Sequence, residues 1–217
     1  MIKLFSSVSM ALTLLLCQPA FAAIANSGSI YMVAEPGSWV GGGLGAPSVL
    51  WTHGDQGIMQ GASNFDQGAS ISFDNGGYWS FDFAAPTYDP ITNTNNGNPL
   101  HTGFYNNATR FPFNSPTRPG LDVSGEGRGN NTLGGWFYIW EVGYGTDGSI
   151  NLLAVDFRQY DESEQMQGPS LYGSLRFNSS VALNYNTNPV PVPAAAWLFG
   201  SGLIGLISIS RRKARKT

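Results

Sequence analysis

Short stretches in which apolar and polar residues alternate run through the middle of the chain. They are rich in aromatic and β-branched residues, and Gly, Asn, Asp or Pro separates them, as is typical of β-strands. The pattern predicts strands at 29–35, 49–52, 69–74, 78–84, 136–144, 150–159 and 172–178. No stretch has the period of about 3.6 residues that marks a long amphipathic helix. We therefore predict an all-β domain, an antiparallel β-sandwich or a jelly-roll-like fold.

One hairpin can be predicted down to its register. Apolar and polar residues alternate both before and after a turn at 75–77. A two-residue turn would place Trp79 opposite Ser72 and mix the apolar and polar faces. A three-residue loop with a glycine in the left-handed conformation keeps every apolar residue on one face. The predicted pairs are Phe73 with Trp79, Ile71 with Phe81, and Ala69 with Phe83.

A second hairpin is predicted to join 136–144 to 150–159 through a turn at 145–148. Its first strand carries aromatic residues on both faces, which favours a central, covered strand. Residues 86–133, between the two hairpins, are irregular in sequence. A loop of this length in a compact domain is either functional or hides further strands. Phe111 and Phe113, which alternate around Pro112, would fit an edge strand there.

The first 22 residues have the composition of a secretory signal peptide. Lys3 precedes a short apolar run, and the small residues Ala20 and Ala22 precede a predicted cleavage site at Ala23. The run is too short to span a membrane. The mature domain is thus expected to begin at Ala23 and to extend to residue 188.

The segment 189–217 differs again. A Pro-rich spacer leads into residues 194–210, which carry no charge and are nearly long enough to cross a bilayer as a helix. Basic residues then mark the cytoplasmic side of the membrane. They are Arg211, Arg212, Lys213, Arg215 and Lys216. This order predicts a C-terminal transmembrane helix with the domain that precedes it outside the cytoplasm.

The C-terminal segment resembles the PEP-CTERM sorting signal of Gram-negative bacteria. The resemblance rests on the apolar Trp-Leu-Phe-Gly-Ser-Gly-Leu run and on the motif before it, Val190, Pro191, Val192, Pro193, Ala194 and Ala195, which stands where other members have Pro-Glu-Pro. It implies export, transient anchoring in the inner membrane, and cleavage of the tail by an exosortase-type membrane protease. It also implies a final place at the cell surface or outside the cell, with exopolysaccharide and biofilm.

Removing both ends changes the charge of what remains. The middle segment holds all 14 acidic residues and five arginines but no lysine, which gives a formal charge of −9 against −3 for the whole chain. The lack of lysine disfavours anionic partners such as nucleic acid or the phosphates of lipopolysaccharide, so we expect no binding of nucleic acid.

The middle segment also resembles an uncharacterised secreted module of bacterial surface proteins, for which no activity is assigned. The resemblance includes "WSFDFAAP" and "GGWFYIWEV". Members commonly have a cysteine where this chain has Asn130 and another where it has Asp161. The resemblance thus implies that Asn130 and Asp161 face each other, at the place of a lost disulfide.

Candidate binding chemistry centres on the aromatic residues. Sugar rings stack on exposed Trp and Tyr side chains, and six such residues lie near loops or outside the predicted core faces: Trp39, Trp51, Tyr88, Tyr105, Tyr144 and Tyr172. The alternative is that these side chains only pack in the core.

The sequence gives less support to the candidate metal, catalytic and Ca²⁺ sites. His53 and Asp55 could form a metal or proton-relay pair, and His101 is isolated in the sequence. Asp156 and Glu162 could form a glycosidase pair. Ca²⁺ could bind the acidic residues of 161–164 or the turn at 147–148, and no other cofactor is expected. The sequence thus predicts a non-enzymatic exported surface protein, with a carbohydrate-binding module as the alternative and a glycan hydrolase as a distant one.

Overall fold

The computed structural model describes residues 22–89, 91–95 and 97–186. Residues 1–21 of the predicted signal peptide (1–22), together with the predicted sorting motif, membrane helix and basic end, lie outside these residues. Within the described part of the chain, no helix is long and apolar enough to cross a membrane. A compact unit that ends at Leu183 holds all the strands. In the unit that begins at Asn184, the Asn186 N–H donates to the side-chain oxygen of Asn184.

The described chain is all-β, as predicted, with one short 3₁₀ helix at Gly41–Leu44. The strands are β1 (Ala23–Ile24), β2 (Gly28–Ala34), β3 (Ser48–Thr52), β4 (Ile58–Ser63), β5 (Ala69–Asp74), β6 (Tyr78–Ala84), β7 (Tyr88–Asp89), β8 (Thr94–Asn95), β9 (Gly103–Arg110), β10 (Gly120–Gly125), β11 (Leu133–Tyr144), β12 (Ile150–Asp161) and β13 (Ser170–Phe177).

Eleven strands form one continuous sheet in the order β1-β4-β5-β6-β10-β9-β11-β12-β13-β2-β3, and β7 pairs with β8 separately. The prediction of an antiparallel sandwich or jelly roll therefore holds only as far as the all-β class. The sheet curls into a half-barrel. The parallel pairing of β9 with β10 joins two groups of antiparallel strands into this single sheet. In this pair, Leu121 lies opposite Arg110.

The curl lets one face of the sheet enclose the core. Phe81 and Phe83 of β6 lie 6.0 and 5.8 Å from Phe157 of β12, measured between ring centroids. On β4, a Cβ added at Gly61 would come within 2.7 Å of the Phe177 ring of β13. The two groups of strands thus pack closely against each other, and the buried rings exclude water between them.

The predicted β5–β6 hairpin is confirmed in its register. The pairs are Phe73 with Trp79, Ile71 with Phe81, and Ala69 with Phe83. The loop contains residues 75–77, and Gly76 has a φ of 93°, in the left-handed region. The apolar side chains of both strands are fully buried.

The second predicted hairpin, β11–β12, is confirmed too, and β11 lies between β9 and β12 in the sheet. Its core side is covered, since Phe137 and Ile139 are fully buried. Its other side is covered only in part: Trp136 is buried, whereas Trp140 is 36% exposed.

Residues 86–133 contain strands that the sequence did not reveal, namely β7 to β10. The edge strand proposed around Pro112 is wrong, because Phe111 to Phe113 lie in a turn after β9. β9 and β10 are internal strands rather than edges.

Asn130 and Asp161 face each other, as the resemblance implied. The Asn130 side-chain amide donates to Asp161 Oδ1 at 3.0 Å. Asp161 Oδ2 also accepts from the Ser38 hydroxyl and from the Trp39 amide, each at 2.6 Å. The carboxylate at the end of β12 therefore holds two loops by hydrogen bonds, one with Ser38 and Trp39 and the other with Asn130.

Candidate functional site

Three of the six aromatic residues predicted to stack on sugars line one open cleft. Tyr88 comes from β7, Tyr105 from β9 and Tyr144 from the end of β11. The cleft has a volume of about 520 Å³. We call it the tyrosine cleft; its other lining residues are Ala85, Pro86, Asn98, Pro99, Leu100 and His101.

Hydrogen bonds to the backbone fix the positions of two of these rings. The Tyr144 hydroxyl accepts from the Leu100 amide at 2.7 Å and donates to the Gln67 carbonyl at 3.0 Å. The Tyr105 hydroxyl accepts from the His101 amide at 3.0 Å and donates to the His101 carbonyl at 3.1 Å. The same contacts hold the segment that forms one wall of the cleft.

Packing orients the Tyr105 ring further. It stacks on Phe137 of the core, with centroids 4.6 Å apart and ring planes 12° apart. Tyr88 is held from the other side: its amide donates to the Pro116 carbonyl, and its hydroxyl to the side-chain oxygen of Asn93. The three rings thus form a rigid lining of defined shape.

Tyr105 and Tyr144 remain neutral at physiological pH. Burial raises the pKa of Tyr144 to about 12, and the hydrogen bond from Leu100 opposes this only in part. Burial likewise raises the pKa of Tyr105. No carboxylate, lysine or arginine is among the lining residues. The cleft is therefore suited to hold a neutral ligand against aromatic surface, and it lacks the paired carboxylates of a glycosidase.

The other three predicted aromatic residues lie elsewhere. Trp51 packs on the core, with its ring stacked on Phe73 at 5.4 Å. Tyr172 is buried, with only 2% of its surface exposed. Trp39 is 52% exposed, and its amide donates to the Asp161 carboxylate. The structure therefore brings together half of the predicted set.

Hydrogen bonds and an ion pair within the fold involve the candidate residues His53, Asp55 and Asp156. His53 Nδ1 accepts from the Met59 amide at 3.0 Å, whereas Asp55 accepts from the Thr52 hydroxyl. Asp156 is buried in an ion pair with Arg176, with 3.0 Å between their atoms. These contacts hold the three side chains in place within the fold.

The acidic residues considered for Ca²⁺ also have protein partners. The Glu162 carboxylate accepts from the Asn131 and Thr132 amides, and Glu164 pairs with Arg118 at 3.1 Å. At the other turn, Asp147 accepts from the Ser149 amide and hydroxyl. Among the described residues, no group of three or more His, Cys, Asp or Glu side chains could hold a metal ion.

Sequence reasoning found the tyrosines but missed their neighbours. In the sequence His101 is only an isolated histidine, and no signal there predicts that residues 98–101 lie beside Tyr144. The contact depends on the hydrogen bond from the Leu100 amide to the Tyr144 hydroxyl, 44 residues away, and a second bond ties that hydroxyl to the Gln67 carbonyl, 77 residues away. Comparison of the chain with models of known families, with characterised proteins and with solved structures gives no match.

Proposed function

We propose that this chain is an exported, non-enzymatic protein of the cell surface or extracellular matrix, and that its β domain associates with neutral polysaccharide. The ends of the sequence support export and sorting, as the resemblance to the PEP-CTERM signal implies. The tyrosine cleft supports the association with polysaccharide. It combines fixed aromatic rings with a lining that carries no carboxylate, lysine or arginine.

The tyrosine cleft is the observation that carries the binding proposal. A pyranose ring has an apolar face of C–H groups and an edge of hydroxyls, so it can pack on an aromatic ring while its hydroxyls reach polar groups or water. Tyr105 and Tyr144 have their own hydroxyls occupied by the backbone. The half-buried Tyr144 ring therefore offers mainly carbon surface to the cleft, whereas Tyr105, of which only 9% is exposed, belongs to the core and supports the lining from below. The preformed shape lowers the entropy cost of binding.

The binding proposal is tested by retention on neutral polysaccharides. The full chain would be purified in a detergent without sugar groups and assayed on immobilised glucan, mannan and galactan. We expect Tyr88→Ala to weaken the tightest of these interactions about tenfold, a loss of about 1.4 kcal/mol. Trp39→Ala removes an exposed ring outside the cleft and should change the affinity less than twofold. Equal losses in both variants, or no retention of the wild type, would refute the cleft as the binding site.

The sorting proposal is tested separately in cells. Deleting residues 190–194 should stop release of the protein from the membrane while leaving its insertion intact. Released protein should carry Ala23 at its N-terminus. If release continues at the wild-type rate after the deletion, the motif is not the sorting signal.

A further inference from the structure

A second open cleft, of about 530 Å³, lies at the end of β10. We call it the arginine cleft; its lining residues are Tyr78, Arg110, Asp122, Ser124, Gly125, Glu126, Gly127, Arg128 and Gly129. Glu126 and Gly127 form a two-residue turn with φ angles of 53° and 70°. Reciprocal hydrogen bonds between the backbones of Gly125 and Arg128 close this turn. The tight turn brings Arg128 back beside the strand and into the cleft.

The two arginines of this cleft differ from the other three in the described domain. Each of the other three has a carboxylate partner within 4 Å: Arg118 pairs with Glu164, Arg158 with Glu35, and Arg176 with Asp156. Within the described ranges, Arg110 and Arg128 form no such ion pair. They are thus two cationic groups of an acidic domain without an ion-pair partner within 4 Å among the described residues, although the Arg110 charge interacts with the Asp122 carboxyl.

Both guanidinium groups are nevertheless held in place. Arg128 donates to the Trp39 carbonyl at 3.1 Å, and its guanidinium carbon lies 4.5 Å from the centre of the Trp39 ring. Arg110 donates to the Asn131 carbonyl at 3.2 Å and lies 5.0 Å from the Phe113 ring. A carbonyl and a ring fix each group without cancelling its charge. Such fixed guanidinium groups lose little entropy when they bind an anion.

The carboxyl groups in the cleft do not remove its positive character. Glu126 is exposed on the turn. Burial raises the pKa of Asp122 to about 7, so this group is only about half ionised near neutral pH. The two arginines thus face one exposed carboxylate, Glu126, and one carboxyl whose ionisation is opposed by burial and by the neighbouring Asp82. The rest of the domain carries a large excess of acid, so the arginine cleft is an exceptional place where an anionic group is accepted.

We propose that the arginine cleft binds the carboxylate of a uronic acid residue in an acidic polysaccharide. A carboxylate matches the planar donor fork of a guanidinium, which binds it through two parallel hydrogen bonds. The remaining groups fit a sugar: Ser124 and the two acidic side chains can pair with ring hydroxyls. Tyr78, which is 63% exposed, offers a ring for stacking at the rim. This proposal concerns a different cleft and a ligand of different charge from those of the proposed function.

The test compares two polymers that share one backbone. Polygalacturonate carries the carboxylates, and its fully methyl-esterified form has the same rings without the charge. The full chain should bind the acid form at least tenfold more tightly than the ester, and the difference should shrink as salt is added. Arg128→Gln and Arg110→Gln should each weaken binding of the acid form about tenfold. Arg118→Gln is the matched control: it makes the same change in net charge at a paired arginine, and it should weaken binding less than twofold.

Glu126→Gln provides a test in the opposite direction. Removing this negative charge should tighten binding of polygalacturonate severalfold, because it lies beside the binding groups. Thermal unfolding of every variant would be followed by tryptophan fluorescence, so that a loss of folding is recognised. Retention on neutral polysaccharide through the tyrosine cleft should be the same in all of them.

Three results would overturn the proposal. The first is equal binding of the acid and the ester, which would show that hydroxyls rather than charge are recognised. The second is an Arg118→Gln loss as large as that of Arg128→Gln, which would indicate unspecific attraction. The third is full competition by inorganic phosphate at the same concentration as the uronate residues, which would indicate a general anion site. None of these results depends on whether the tyrosine cleft binds neutral glycans.

Discussion

Asp122 gives the protein a stability that depends on pH. It lies directly opposite Asp82 in the register of β10 and β6, a position in which two ionised carboxylates repel each other. Burial and, secondarily, the Asp82 charge raise the pKa of Asp122 to about 7, although Arg110 acts in the opposite direction. Burial raises the pKa of Asp82 as well, against hydrogen bonds from Ser70 and Ser80.

The direction of the effect follows from comparing the folded and unfolded chains. The ordinary pKa of an aspartate side chain is 3.8, so folding takes up a proton between that pH and about 7. Stability is therefore highest at the acid end of this window, falls as the pH rises, and is constant above it. Each pH unit within the window lowers the free energy of unfolding by about 1.4 kcal/mol, so the total loss across the window has an upper limit of about 4 kcal/mol. Solvent at the cleft screens the partly exposed carboxyl and lowers the effect to roughly 2–3 kcal/mol.

Asp122→Asn isolates this contribution, because asparagine resembles the protonated carboxyl and does not titrate. Urea unfolding between about pH 4.5 and 8.5 should show that the variant is more stable than the wild type by roughly 2–3 kcal/mol at the alkaline end and little different at the acid end. Asp147→Asn is the control. The hydrogen bonds from Ser149 lower the pKa of Asp147, so its contribution to the stability is lost only below this pH window. The stability of Asp147→Asn should therefore fall with pH as steeply as that of the wild type. Parallel pH profiles for the wild type and Asp122→Asn would refute the reasoning.

Further predictions concern packing and can be checked by urea unfolding. Arg176→Leu should lower the free energy of unfolding by about 3–5 kcal/mol, because it removes the ion-pair partner of the buried Asp156 charge. Adding Asp156→Asn to this variant should restore part of the lost stability. Gly61→Ala should cost about 1–3 kcal/mol through overpacking against a core ring. Gly76→Ala meets no atom within 4 Å but has a φ of 93°, so it should cost only the backbone strain of about 1–2 kcal/mol.

The β5–β6 hairpin could be predicted in full because its information is local. Both strands alternate strictly, one face is fully buried, and a shift of one residue would expose every apolar side chain. The same reasoning located β11 and β12, whose long apolar runs are joined by a turn containing Gly145 and Gly148. All seven strands predicted from the sequence are present, with ends that differ by a few residues at most.

The missed strands have little local signal. β4 buries only Met59 among its large side chains, and its Gly61 serves to admit the Phe177 ring from β13. In β10, Leu121 and Val123 are the only apolar residues, and its place in the sheet depends on pairing with β6 and β9. Such strands are determined by their partners, so their short sequences did not identify them. The single curled sheet was missed for the same reason, since the link between β9 and β10 makes the sheet continuous.

The clefts show why the composition of a domain is a poor guide to its binding chemistry. An excess of acid and the absence of lysine argue against anionic ligands when charge is averaged over the whole surface. Charge acts locally, however, because salt screens exposed groups beyond roughly 10 Å. Ion pairs neutralise three arginines and thereby leave Arg110 and Arg128 as a local exception. In the tyrosine cleft, the backbone likewise occupies the hydroxyl of the half-buried Tyr144, so that this polar residue offers an apolar surface. In both places, the contacts that a side chain already makes decide what it still offers to a ligand.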